Sequence, residues 1–211
     1  MKLIELGCDQ RSFHSISFNS EGLTLIVGDG ASEKKKEGSS NGVGKTLALG
    51  LVHHCLGANS DPLLKQAVPD WMFRLTFSSH QKEHTIERSG DGKRIYLDGK
   101  SVSHKGLRSW LDKAGAFRLE PTIPATTFRA LVKRFGRYLR EDCIDPLRMA
   151  REPDFDARLR SLYLLGLDCS LVLSKKLHKV ELDSVKQTLR TWQHDNILQN
   201  LFRAGAQPKV R

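Results

Sequence analysis

The sequence predicts an α/β fold in which a strand, a glycine-rich phosphate loop and a helix form one unit, joined by an antiparallel β-meander and a helical C-terminal segment. Three observations predict it. The apolar run at 23–27 precedes Asn41-Gly-Val-Gly-Lys-Thr46, which opens the helical periodicity of residues 47–56. Residues 71–97 hold three short strand-like runs, with glycine turns after the second and third. From Leu171 onward the chain is polar and helix-forming, with Leu182, Val185, Leu189 and Trp192 at three-four spacing.

Residues 2–8 and 13–18 read as short strands joined at 9–12, and Glu21-Gly22 turns into the strand at 23–27. Ser39 occupies the place of the first glycine in the usual phosphate-loop pattern; Gly28 at the strand end serves as its counterpart, with roughly 29–40 looped out. Within that loop Lys34, Lys35 and Lys36 read either as a solvated tip or as a contact with nucleic acid or a partner near the nucleotide. The helix after the loop runs to about Leu56 and stops at Gly57, and 59–62 with Pro69 form a connector.

The runs 71–77, 83–88 and 93–97 then form the meander, turning at Gly90-Asp91-Gly92 and Asp98-Gly99, beside the nucleotide-binding sheet. Helices are expected at 104–115 and 157–167, and a basic amphipathic helix at 128–140. On this last helix Arg129, Lys133, Arg137 and Arg140 share a face without an acid; they read either as a solvated face or as a surface for the phosphate backbone of nucleic acid. The division expected is a lobe at 1–168, a helical segment beginning a coiled coil at 169–203, and a frayed tail at 204–211.

The chemistry of the loop rests on residue type. Gly42 and Gly44 let the backbone turn its N–H groups toward phosphate oxygens, and Asn41 and Val43 contribute main-chain amides to the same cradle. Lys45 reaches the β- and γ-phosphates as a point charge, and the Thr46 hydroxyl is placed for Mg²⁺. The following helix adds its positive dipole end. The expected ligands are therefore a nucleoside triphosphate and Mg²⁺; no catalytic residue is identified.

With 34 Lys+Arg against 24 Asp+Glu, the 211-residue chain has a net charge of +10, which favours a polyanionic partner without naming one; the alternative is simply a soluble basic protein. Its length suits one substantial core, not two complete nucleotide-binding lobes. Cys8, Cys55, Cys143 and Cys169 lie far apart without metal-site spacing and read as reduced thiols of a cytoplasmic protein. No apolar stretch is long enough to span a bilayer, so no membrane partner is expected.

Taken together, Met1-Lys-Leu-Ile-Glu-Leu, Arg11-Ser-Phe-His, Leu23-Thr-Leu-Ile-Val-Gly28 and the loop at 41–46 resemble the N-terminal half of an SMC/RecN-like ATPase head of the ABC class. Thr127-Phe-Arg-Ala-Leu-Val-Lys-Arg-Phe135 and Leu164-Leu-Gly-Leu-Asp168 are similar to a bacterial branch related to phage-defence and DNA-repair ATPases. The resemblance implies that Arg11 reaches the nucleotide phosphates. It also implies that a second sequence half, carried beyond a coiled coil or by another chain, brings the signature motif and the Walker B acids, and that two heads sandwich ATP.

No apolar run ending in Asp-Glu, no signature motif and no glutamine within 118–140 is present in these residues. Hydrolysis is therefore expected only with a complementing lobe or second head. The alternative is a non-hydrolysing DNA- or partner-binding module on a degenerate head. A small P-loop kinase would fit the length, but it needs a mostly parallel core, and 71–97 read as antiparallel.

Overall fold

Alternation along the strands decides which face of the sheet is dry. In β3 (Met72–Ser79) the residues Phe73, Leu75, Phe77 and Ser79 are buried, while Arg74 between them is exposed. β3 pairs antiparallel with β1 (Lys2–Cys8) on one side and with β4 (Lys82–Ser89) on the other. The short strands β2 (Ile16–Ser17), β5 (Ile95–Leu97) and β6 (Lys100–Ser101) complete one six-stranded antiparallel sheet in the order β2-β1-β3-β4-β5-β6. His80 and Gln81 both take positive φ in the two-residue β3–β4 turn, and Asp98 and Gly99 do the same between β5 and β6, the backbone twist that tight hairpins favour.

This is a computed structural model, and it describes residues 1–26, 44–114, 116, 117, 119, 123–195, 197, 199 and 200. The described residues contain six α-helices: α1 (Lys45–Cys55), α2 (Pro62–Ala67), α3 (His104–Ala114), α4 (Phe128–Phe135), α5 (Asp154–Leu164) and α6 (Ser170–His194). Leu51, Cys55 and Leu56 from α1 and its end, Leu107 and Leu111 from α3, and Phe128 and Leu131 from α4 share the core with Leu6, Leu75, Phe77, Ile86 and Ile95 of the sheet. The protein is thus mixed α/β, with one sheet face covered by helices.

The chain divides into two compact units, Met1–Arg160 and Ser161–Arg211. In the second, Gly166 adopts φ 69° after α5, and Asp168 accepts hydrogen bonds from the Ser170 N–H and hydroxyl as α6 begins. None of the 25 residues of α6 is buried, and Leu182, Val185, Leu189 and Trp192 are exposed.

Several expectations are corrected. Residues 23–26, the described part of the expected strand at 23–27, form no strand, and Leu23 and Leu25 are 78% and 75% exposed. The Asn19 N–H donates to the Thr24 hydroxyl and the Asn19 side chain to the Leu23 carbonyl, so a side-chain-closed loop replaces ladder pairing. No second sheet stands beside the meander among the described residues, because the meander strands extend the sheet that β1 begins.

The connector contains α2, started by Asp61, whose carboxylate accepts from the Leu63 N–H, with Pro62 in the first turn. The helix expected at 128–140 stops at Gly136, and Arg140–Cys143 form a separate 3-10 turn. A side chain at Gly136 would press its Cβ to 2.7 Å from His53 Nε2, so the close approach of α1 requires glycine there. The tail at 204–211 lies outside the described residues.

Candidate functional site

Of the phosphate-loop residues, Asn41, Gly42 and Val43 lie outside the described residues, as do Lys34, Lys35 and Lys36. Directly after Val43 the chain enters a helix. Gly44 adopts φ 80°, ψ 11°, a conformation that favours glycine, and its carbonyl accepts the Ala48 N–H. Helix α1 then begins at Lys45, Thr46 is exposed on its first turn, and that turn contains no acidic residue. No side chain caps this end among the described residues. Arg11 is exposed in the turn after β1 and has no ion pair among the described residues.

The opposite end of α1 is closed by cations. Arg88 pairs with Phe73 across the sheet, which places it on the dry face under the helix; it is 1% exposed. Its Nη1 donates to the His54 and Ala58 carbonyls at 2.7 Å each. Arg108 Nε donates to the Gly57 carbonyl at 3.0 Å, and Arg129 Nη1 donates to the His53 carbonyl at 3.4 Å and the Leu56 carbonyl at 3.5 Å. A helix C-terminus carries about half a negative charge. Three guanidiniums more than neutralise it.

The paired histidines of α1 link this end to its surroundings. His53 Nε2 lies 2.5 Å from the Gly136 carbonyl and Nδ1 lies 3.1 Å from Arg129 Nη1, so the neutral ring with its proton on Nε2 satisfies both contacts. Burial, opposed by the Gly136 contact and aided by the Arg129 charge, lowers the His53 pKa. His54 donates from Nε2 to the Ser89 carbonyl at 2.9 Å, and burial followed by the charge of Arg88 pushes its pKa down to about 4. Both rings are therefore neutral at pH 7.

Beside the arginine cluster a cavity of about 520 Å³ opens between the end of α1, α3, α4 and the 149–153 segment. Arg108, Arg129, Lys133 and Arg160 line it together with Asn59 and Tyr138. Burial, then the neighbouring Arg108, pushes the Arg129 pKa down to about 10, which leaves the guanidinium charged at neutral pH. The Tyr138 ring stacks on His53 at 5.1 Å between centroids, and burial raises its phenol pKa.

Glu152 also lines the cavity, but two guanidiniums hold it: Arg134 Nη2 donates to both carboxylate oxygens at 3.0 Å, and Arg160 Nη1 reaches Oε1 at 2.5 Å. Burial raises the Glu152 pKa, yet the Met149 N–H, Arg160 and Arg134 outweigh it, and the net shift is downward.

The structure breaks up the basic face expected on 128–140. Arg129 turns inward to α1, and only Lys133 joins it at the cavity while remaining exposed. Arg137 lies beyond the helix end and donates to the carbonyls of Asp142, Asp145 and Pro146. Arg140 is exposed in the 3-10 turn. Sequence reasoning missed Arg88, Arg108, Tyr138 and the Glu152 pair. Arg88 alone carried a signal, since strand alternation from Ile86 puts it on the apolar face.

Among the described residues no group of three or more His, Cys, Asp or Glu side chains could hold a metal ion. No described helix is long and apolar enough to cross a membrane. No protein-family model matches the chain, and no curated protein matches it.

Proposed function

We propose that this chain binds the triphosphate of ATP at the N-terminal end of α1 and serves as an ATPase half-site in an SMC-like, DNA-associated complex. The observation that carries the reading is the start of α1. Gly44 is left-handed, Lys45 opens the helix, and Thr46 is exposed on an uncapped first turn free of acids. A triphosphate tail would meet backbone amides and the positive dipole end there. The Thr46 hydroxyl suits one position in the shell of a Mg²⁺ bound with the nucleotide, which would neutralise phosphate charge.

Water activation needs a carboxylate and a signature segment that the sequence does not display. We assign those to a complementing lobe or second head, in the DNA-repair or anti-phage setting that the resemblance implies. Equilibrium binding of labelled ATP with and without Mg²⁺ tests the half-site. Wild type should show a Mg²⁺-dependent component of binding, and Lys45→Ala and Thr46→Ala should each lose that component. Equal Mg²⁺-dependent binding by wild type and Lys45→Ala would refute it.

A second reading is a binding module without turnover, favoured by the unpaired 23–26 segment and the cationic cavity. DNA binding with a steep salt dependence, unchanged by ATP or by Lys45→Ala, would select it.

A further inference from the structure

The cavity behind α1 carries a charge pattern that its own surroundings do not balance. Arg108, Arg129 and Lys133 line it, and none of them makes an ion pair with a carboxylate among the described residues. Arg108 spends Nε on the Gly57 carbonyl and Nη2 on the Asn59 side chain, both neutral acceptors. Arg129 uses Nη1 on α1, while its Nε and Nη2 have no acceptor among the described residues. Lys133 has none for its ammonium. The one carboxylate at the wall, Glu152, is already shared by Arg134 and Arg160.

Like charges gathered in a partly dry recess repel one another, and an anion between them would relieve that repulsion. The helix end nearby does not cancel the excess, being worth about half a charge against three cations. A planar carboxylate would engage two of these directions at most. A terminal phosphate offers three oxygens and up to two negative charges. The volume of about 520 Å³ exceeds what a lone phosphate fills and suits a mononucleotide, for which Tyr138, Asn59 and Thr127 supply further polar wall.

We infer that this cavity binds the terminal phosphate of a nucleotide unit, as a second anion site separate from the 41–46 loop. The eleven residues of α1 put the two ends of the helix about 16 Å apart. The inference does not rest on ATP binding at that loop. Two sources share the chemistry, a free mononucleotide and the 5′-phosphorylated end of a nucleic-acid strand.

Calorimetric titration of the full chain carrying Lys45→Ala separates this site from the loop. The probes are thymidine 5′-monophosphate, a 5′-phosphorylated hexathymidylate and its 5′-hydroxyl counterpart. Binding should survive Lys45→Ala and weaken about tenfold or more when Lys133→Ala is added, the loss of one charge-assisted contact. Lys133→Glu should abolish it, and because Lys133 is exposed the fold should be retained, as circular dichroism would verify.

Preference for the monophosphate identifies a free nucleotide as the ligand; preference for the phosphorylated strand over the hydroxyl strand identifies a strand end. Equal binding of both strands without the monophosphate would show recognition of internal phosphodiesters and overturn the inference. So would affinity for the monophosphate unchanged by Lys133→Glu, or no binding of any probe.

Discussion

The sheet with its covering helices and the 136–153 segment are held by different physics. Under the sheet, Leu6, Leu75, Phe77, Ile86 and Leu107 are each fully buried, and their contribution comes from apolar area removed from water. In 136–153 only Met149 and Glu152 are buried. Its path is fixed instead by guanidiniums on backbone carbonyls: Arg137 on Asp142, Asp145 and Pro146, and Arg134 on Leu147. The first kind of region resists salt, and the second depends on charge. The lesson is that arginine in this protein works largely as a structural donor, so a count of basic residues overstates what is left for a polyanion.

The largest effect should come from the core. Phe77→Ala removes a fully buried ring at the centre of β3 and should cost about 3–5 kcal/mol, measured by urea denaturation. A loss under about 1 kcal/mol would mean that the sheet face is not dry.

Next is the charged segment. Glu152→Ala leaves Arg134, whose side chain is 7% exposed, without its carboxylate and should cost about 3 kcal/mol. Limited proteolysis should then cut within 136–153 before the sheet is attacked.

The pH response separates the two regions further. His54 has its folded pKa lowered from 6.5 to about 4, so folding favours the neutral ring. Stability is complete above the unfolded value and falls as pH drops from about 6.5 toward 4, by on the order of 2–3 kcal/mol. Glu152 is also lowered, so its contribution is present above its unfolded value of 4.5 and is lost only as pH falls further through the folded pKa. Denaturation at pH 7 and pH 5 should therefore show loss in wild type and a flatter response in His54→Gln. An identical slope in both would remove His54 as the cause.

The smallest effect is Arg137→Ala. Its three acceptors are carbonyls near solvent, and its loss should cost about 1 kcal/mol. Amide exchange in 142–147 should accelerate while that in β3 stays unchanged; acceleration in β3 would couple the two regions.

Much of this architecture was legible where local rules decide. Glycines at 57, 92 and 99, and the apolar alternation of 73, 75 and 77, placed α1 and the meander strands within a few residues. The α4 boundary was not legible, because Gly136 ends the helix through its contact with His53, which lies 83 residues away in sequence. The apolar run at 23–27 satisfies strand periodicity, but Asn19 ties Leu23 and Thr24 into a loop through hydrogen bonds that periodicity does not register. At the candidate site, the helix start at Lys45 was readable from its glycines. The cavity was not, since it needs Arg108 from α3 and Arg129 from α4 to meet at the end of α1.

The turn after β4 ties two distant segments of the chain together. A Cβ at position 90 would overlap the Val68 carbonyl oxygen, and one at 92 would collide with the Ser60 hydroxyl at a residue already at φ 76°. The β4–β5 turn is thereby seated directly on the end of α2, so the hairpin and the connector cannot shift independently.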